Sequence, residues 1–177
     1  MRKLLNRLYD GAAYLAALCI VLIFIAMVLS SAARIAGVAL AGVDDVVSWL
    51  TAAAAFLAMA HAFRNGDFVR MTLVIESAPL TVRRVMEPVA IAAGLVGSAY
   101  AAYWIVVSVY ESWKYQEMTT GLLVMPLWIP QIPFAIGAAL LFIAFFDEFV
   151  AVLRGARPSY LVAVEERHAR GDFSEEL

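Results

Sequence analysis

Charge is scarce in this sequence and cysteine almost absent. Of its 177 residues, 16% are Asp, Glu, Lys or Arg and 64% are hydrophobic types, whereas a water-soluble domain carries about 25% charged and about 45–50% apolar residues. A soluble globular domain is thereby excluded, because it would have to leave apolar surface uncovered. The net charge is −2 and no long basic block occurs, which excludes a nucleic-acid binder and a polar disordered chain. The single cysteine, Cys19, can build no disulfide framework, CxxC pair or zinc cluster. Inside an apolar run it reads as a small hydrophobe in the core or facing lipid. Reaction chemistry is missing too. No Ser, His and Asp set shares a plausible site, and no phosphate-cradling glycine loop occurs. His61 is the one histidine in an apolar run, since His168 lies in the polar tail, while a haem anchor generally needs two axial ligands. No catalytic, cofactor-binding or metal-ligating residue is therefore expected, and the chain does not read as an enzyme.

What is present is a set of long uncharged runs. A hydrocarbon core of roughly 30 Å needs about 20 apolar helical residues, and four stretches qualify. The first covers 11–33, between Asp10 and Arg34; the second covers 46–63, after Asp44 and Asp45 and before Arg64; the third covers 88–110, between Glu87 and Glu111. The fourth lies in the uncharged segment 118–146, whose lead-in carries Pro126, Pro130 and Pro133. Proline suits the first turn of a helix, so regular helix is expected from Pro133 to about Leu153, with Asp147 and Glu148 in the last turns and able to pair with Arg154. The expected fold is an all-α integral membrane domain over 1–157, followed by a polar tail over 158–177.

The distribution of Lys and Arg sets the expected orientation. Arg2, Lys3 and Arg7 precede the first span, Arg64, Arg70, Arg83 and Arg84 join the second to the third, and Arg154, Arg157, Arg167 and Arg170 follow the fourth. That is eleven on one side, against Arg34 and Lys114 on the other. Both termini are expected in the cytoplasm. Trp49, Tyr110, Trp113, Tyr115 and Trp128 then fall near the outer interface, where amphipathic rings are favoured. The start MRKLLNR also resembles a signal peptide, but an h-region has about 7–15 residues, and the longer run here favours an uncleaved anchor.

Between spans two and three, the segment 65–87 is too long for a tight turn and too apolar for a solvated loop. A short interfacial helix is expected over 67–76, with Phe68, Met71 and Ile75 on its apolar face and Arg70 at the headgroups, and a second short helix from Pro79 carrying Arg83 and Arg84. Small residues recur every fourth position: Ala54, Ala58 and Ala62 in span two, and in span three Ala93, Gly97 and Ala101 beside Gly94, Ser98 and Ala102. Such rows let helix backbones approach closely in lipid. Span three has two of them, more packing surface than one neighbour needs. With no ionisable residue in spans one and three to mark a polar pathway, the chain reads as a scaffold or a subunit of something larger.

Three segments resemble one family. Arg34, then Asp44, Asp45 and Trp49, lead into the small-residue helix AAAAFLAMAHAF. The end of that helix runs into RNGDFVRMTLV, with Gly66 and Arg70, and then Pro79, Arg83 and Arg84. The sequence PLWIPQIPFAIG supplies Pro126, Trp128, Pro130, Pro133 and Gly137. Together they resemble the small membrane subunit, of DctQ type, of tripartite ATP-independent periplasmic (TRAP) transporters, over nearly the whole chain as far as about Arg157. The second segment departs from the family pattern: Phe68 and Thr72 stand where the family often has His and Asp.

The resemblance implies a non-enzymatic subunit of a sodium-coupled importer in a bacterial or archaeal inner membrane. It implies two partners besides lipid: a large membrane subunit that carries the substrate and sodium sites, and a soluble periplasmic protein that delivers the substrate, usually a carboxylate. The small subunit would stiffen the large one and assist docking of the binding protein. Arg34, Asp44, Asp45, Trp49, Gly66, Arg70, Arg83, Arg84, Gly97, Ala101, Pro126, Trp128, Pro130, Pro133 and Gly137 are its candidate interface or structural residues. Two readings stand beside it: a self-sufficient homo-oligomeric exporter, which should show a carboxylate inside its first spans, and an anchor subunit of a respiratory enzyme, which should show paired histidines.

Overall fold

A computed structural model describes residues 2–65 and 80–154, with side chains at position 5 and over 7–65 and 88–154. Four helices make up nearly all of it: α1 (Arg2–Ile35), α2 (Val43–Asn65), α3 (Leu80–Lys114) and α4 (Trp128–Leu153). Each is long and apolar enough to cross a membrane, and the protein is an all-α membrane protein. Helices satisfy their own backbone hydrogen bonds, the requirement that hydrocarbon imposes on a spanning segment. The expected interfacial helix over 67–76, with Gly66 and Arg70, lies outside the described residues, as do the polar tail and the side chains of Arg83 and Arg84.

The helices extend past the uncharged runs, because nothing in the charged flanks breaks them. Arg83 and Arg84 belong to the first turns of α3, which passes without interruption through Pro88. At about 1.5 Å per residue, its 35 residues span about 52 Å, longer than the hydrocarbon core. α4 begins at Trp128, five residues before Pro133, with Pro133 inside the helix. Pro130 falls in the first turn, where no intrahelical N–H bond is made in any case, so only the bond that Pro133 would donate is lost.

The helices stand in a row rather than a ring. α1 packs on α2, α2 on α4, and α4 on α3, so α2 and α4 are central and α1 and α3 form the flanks. α1 meets α2 along one seam: Tyr9, Ala12, Ala16, Cys19, Ile23, Ala26, Ser30 and Ala33 are less exposed than their neighbours. Their alternating spacing of three and four is that of left-handed helix pairs. Most of these residues are small, which in lipid is what permits close packing, since apolar burial between helices gives no net gain there. On α2, Leu57 and Ala58 meet Ala12, Ala16 and Leu140, while Ala60 and Phe63 meet Tyr9 and Ala144.

Glycine makes room for two contacts within the row. A Cβ at Gly137 would collide with the Phe56 backbone and lie 2.8 Å from the Leu57 nitrogen, so α4 rests directly on α2, with Phe56 and Phe134 edge to face alongside. A Cβ at Gly94 would collide with the Phe145 ring, which seats α4 on α3. Ser98 is buried on the same side of α3 and returns its hydroxyl proton to the Leu95 carbonyl at 3.1 Å.

Candidate functional site

Of the fifteen residues singled out from the sequence, the eleven with described side chains do not form one site. They divide between a cap at the end of the row where α2 and α4 begin, the α2–α4 contact and the open face of α3. At the end where α2 and α4 begin, α1 stops at Gly37, whose positive φ lets the Gly37 and Val38 N–H groups turn back onto the carbonyls of Arg34 and Ala33. Arg34 itself is exposed. Asp44 and Asp45 follow in the first turn of α2, where a carboxylate opposes the positive end of the helix dipole.

Asp45 has a second task. The connection from α3 to α4 folds back as a small cap, with a bridge between Met118 and Pro126 and the Leu127 N–H donating to the Glu117 carbonyl at 2.9 Å. Thr119 receives the Met125 N–H at 3.0 Å, and the Leu123 N–H donates to the Asp45 carboxylate at 3.1 Å. A Cβ at Gly121 would collide with the Asp45 carboxylate, so glycine is needed for this approach. Ser112 is buried and donates to Glu117 at 2.9 Å. The cap is thus fastened to α2 through one carboxylate, while Asp44 stays exposed. Replacing Asp45 by Ala is expected to speed amide exchange at Leu123 by about tenfold, the loss of one charge-assisted hydrogen bond, with a smaller effect for Asp45→Asn. Hydrogen-exchange mass spectrometry over 119–125 reads this, and unchanged exchange in the Ala variant would show that the cap holds itself.

At the other end, a polar cluster ties three helices together, and sequence reasoning missed it. His61 on α2 lies between two partners: its Nδ1 is 3.3 Å from the Asp10 carboxylate on α1, and its Nε2 is 2.8 Å from the Asn65 amide nitrogen. With the amide donating to Nε2, the ring proton sits on Nδ1 and points to Asp10, a tautomer assigned from the network. The Arg64 guanidinium stands 5.3 Å from the centre of the Tyr9 ring, within range of a cation–π contact. Tyr9 is fully buried and also lies in the field of Asp147 and Glu148. Glu148 is only 4% exposed, whereas Arg154, the partner expected from spacing, is exposed at the C-cap of α4. Asp10, His61 and Glu148 lie on three different helices, so no local motif announces the cluster. Its position at the helix ends opposite the cap, with the α1–α2 contact of Asp10 and His61 and the α4 carboxylates close to Tyr9, suits a structural clamp.

The remaining candidates sort by exposure. Trp49, Pro126, Trp128, Pro130 and Pro133 are half-buried around the N-terminal ends of α2 and α4, and Gly137 is buried at the α2–α4 contact. Gly97 and Ala101 are different: a Cβ at Gly97 would meet nothing, and Ala101 is exposed. Of the two small-residue rows on α3, Gly94, Ser98 and Ala102 pack toward α4, while Ala93, Gly97 and Ala101 face outward.

A row of four spanning helices with an uncovered small-residue face is the geometry against which the similarity to known proteins is read. The family model for the DctQ component of tripartite ATP-independent periplasmic transporters matches residues 20–155. The chain belongs to the DctQ family. A comparison with curated proteins returned no match. The matched region of this DctQ-type chain runs from the middle of α1 to just past α4, so it takes in the Asp45-pinned cap, the α2–α4 contact and both rows of α3. Tyr9 and Asp10, the α1 members of the polar cluster, fall outside it. The family is one of transporter components and not of enzymes, and the four spans make this a multi-pass membrane protein.

Proposed function

We propose that this chain is the static scaffold subunit of a sodium-coupled TRAP transporter that imports a carboxylate-type solute across a bacterial or archaeal inner membrane. The observation that carries the reading is the open row of helices. A self-contained transporter needs an enclosed polar path, whereas among the described residues the two central helices are covered only by the two flanks, and each flank leaves a long face uncovered. Such a slab suits enlarging a larger membrane body and holding it at a fixed tilt. The substrate and sodium sites then belong to the large membrane subunit, and a periplasmic binding protein delivers the solute.

In this reading both termini are cytoplasmic, which the eleven-to-two division of Lys and Arg supports. The Asp45-pinned cap and the exposed Asp44 then face the periplasm, where they assist docking of the binding protein. Orientation is tested in a Cys19→Ala background. A cysteine replacing Glu117 is expected to react with an impermeant thiol reagent in intact cells and one replacing Arg83 to remain unlabelled; the opposite pattern would invert the topology. The function is tested by reconstitution: uptake is expected to require this chain, the large subunit and the binding protein together.

A further inference from the structure

The two flanks of the row have different surfaces. At mid-depth α1 exposes Leu18, Ile20, Val21, Leu22, Phe24 and Ile25, bulky side chains without a polar atom, as a surface facing lipid tails should be. At mid-depth α3 exposes Tyr100 (66%), Tyr103 (64%) and Trp104 (52%), stacked edge to face around Trp104. Tyr100 and Tyr103 stand close to midway between Pro88 and Lys114, the ends of this span, far from the interfaces where such rings find water. A hydroxyl turned to hydrocarbon there is costly unless a hydrogen bond satisfies it.

Two further features share this face. Ala93, Gly97 and Ala101 leave a shallow trough, with open space at Gly97. Toward the outer end the trough leads to a cleft of about 190 Å³ between α3 and α4, lined by Trp104, Ile105, Ser108, Val109, Gln131 and Phe134.

From these observations we infer that the outward face of α3, and not that of α1, is covered by a transmembrane helix of the large subunit, whose polar side chains pair with Tyr100 and Tyr103. The inference rests on the scaffold reading and adds to it which face binds and by what chemistry. A lipid tail would fill the trough but would leave both hydroxyls unsatisfied. A protein helix fits the trough, because small residues admit a close backbone, and it can carry the donors and acceptors that a lipid tail lacks.

The test uses the assembled transporter in its native membrane, with a photoreactive phenylalanine analogue placed at Ala101 or at Val21. The expected result is an adduct with the large subunit from position 101 and none from position 21. Adducts with lipid alone, or with a second copy of this chain, from position 101 would overturn the inference, as would an adduct with the large subunit from position 21. If the unmodified chain fails to copurify with the large subunit, the scaffold reading itself falls; if it copurifies and position 101 labels only lipid, this assignment alone falls. In the same preparation, Tyr100→Phe with Tyr103→Phe is expected to weaken retention of the large subunit about tenfold, as the loss of two interhelical hydrogen bonds implies. Gly97→Leu is expected to weaken it as well, while leaving the melting of the isolated chain undiminished, because a Cβ at this position meets nothing within 4 Å. Undiminished retention in both variants would also overturn the inference.

Discussion

Replacing Gly137 by Leu is expected to force α4 away from α2 and to cost about 3 kcal/mol, at the upper end for overpacking a tight contact. The reason is local: the space a Cβ would need is filled by the Phe56 backbone and the Leu57 nitrogen, and backbone cannot move aside as a side-chain tip can. The α2–α4 contact joins the two halves of the row, so its loss uncouples the α1–α2 pair from the α3–α4 pair. Thermal unfolding in detergent reads the effect. Gly97→Ala is the matched control. It meets open space in a helix interior where Ala is favoured over Gly by about 0.5–1 kcal/mol, so its melting should equal or exceed that of the wild type. If Gly137→Leu melts like the wild type, α2 and α4 are not in direct backbone contact.

The four spans were legible because a charge-free apolar run of membrane length has little use outside a bilayer. Their ends were less so: charged residues such as Arg83 and Arg84 are good helix formers, and α3 continues through them and through Pro88. Pro133 marked a helix start by its chemistry, yet Pro130 takes the first-turn position because α4 begins at Trp128. The α1 seam left no trace in hydropathy. When both faces of a helix are apolar, only side-chain size separates the packed side from the lipid side, and Ala12, Ala16 and Ala26 are too common a residue to stand out. The doubling of small-residue rows on α3 was visible, whereas which row faces α4 required the position of Phe145. Asp45 could be read as a helix-start carboxylate, but its bond to Leu123 crosses 78 positions. The contact between His61 and Asp10 and the burial of Glu148 were hidden for the same reason, since they depend on the order of the helices.

On the scaffold reading, this chain supports transport without performing it. Its described spans offer an open slab with a polar clamp at one end and a pinned cap at the other, and desolvating a carboxylate substrate without charge or hydrogen-bond partners would cost several kcal/mol. The most direct measurement is uptake of labelled carboxylate into liposomes under an inward sodium gradient. With the large subunit, the binding protein and this chain all present, uptake above that of empty liposomes is predicted. It should fall to the level of empty liposomes when this chain is omitted, and stay there when this chain is reconstituted alone. Sodium-driven uptake by the chain alone would contradict the scaffold assignment, and undiminished uptake without it would show that the large subunit needs no such support.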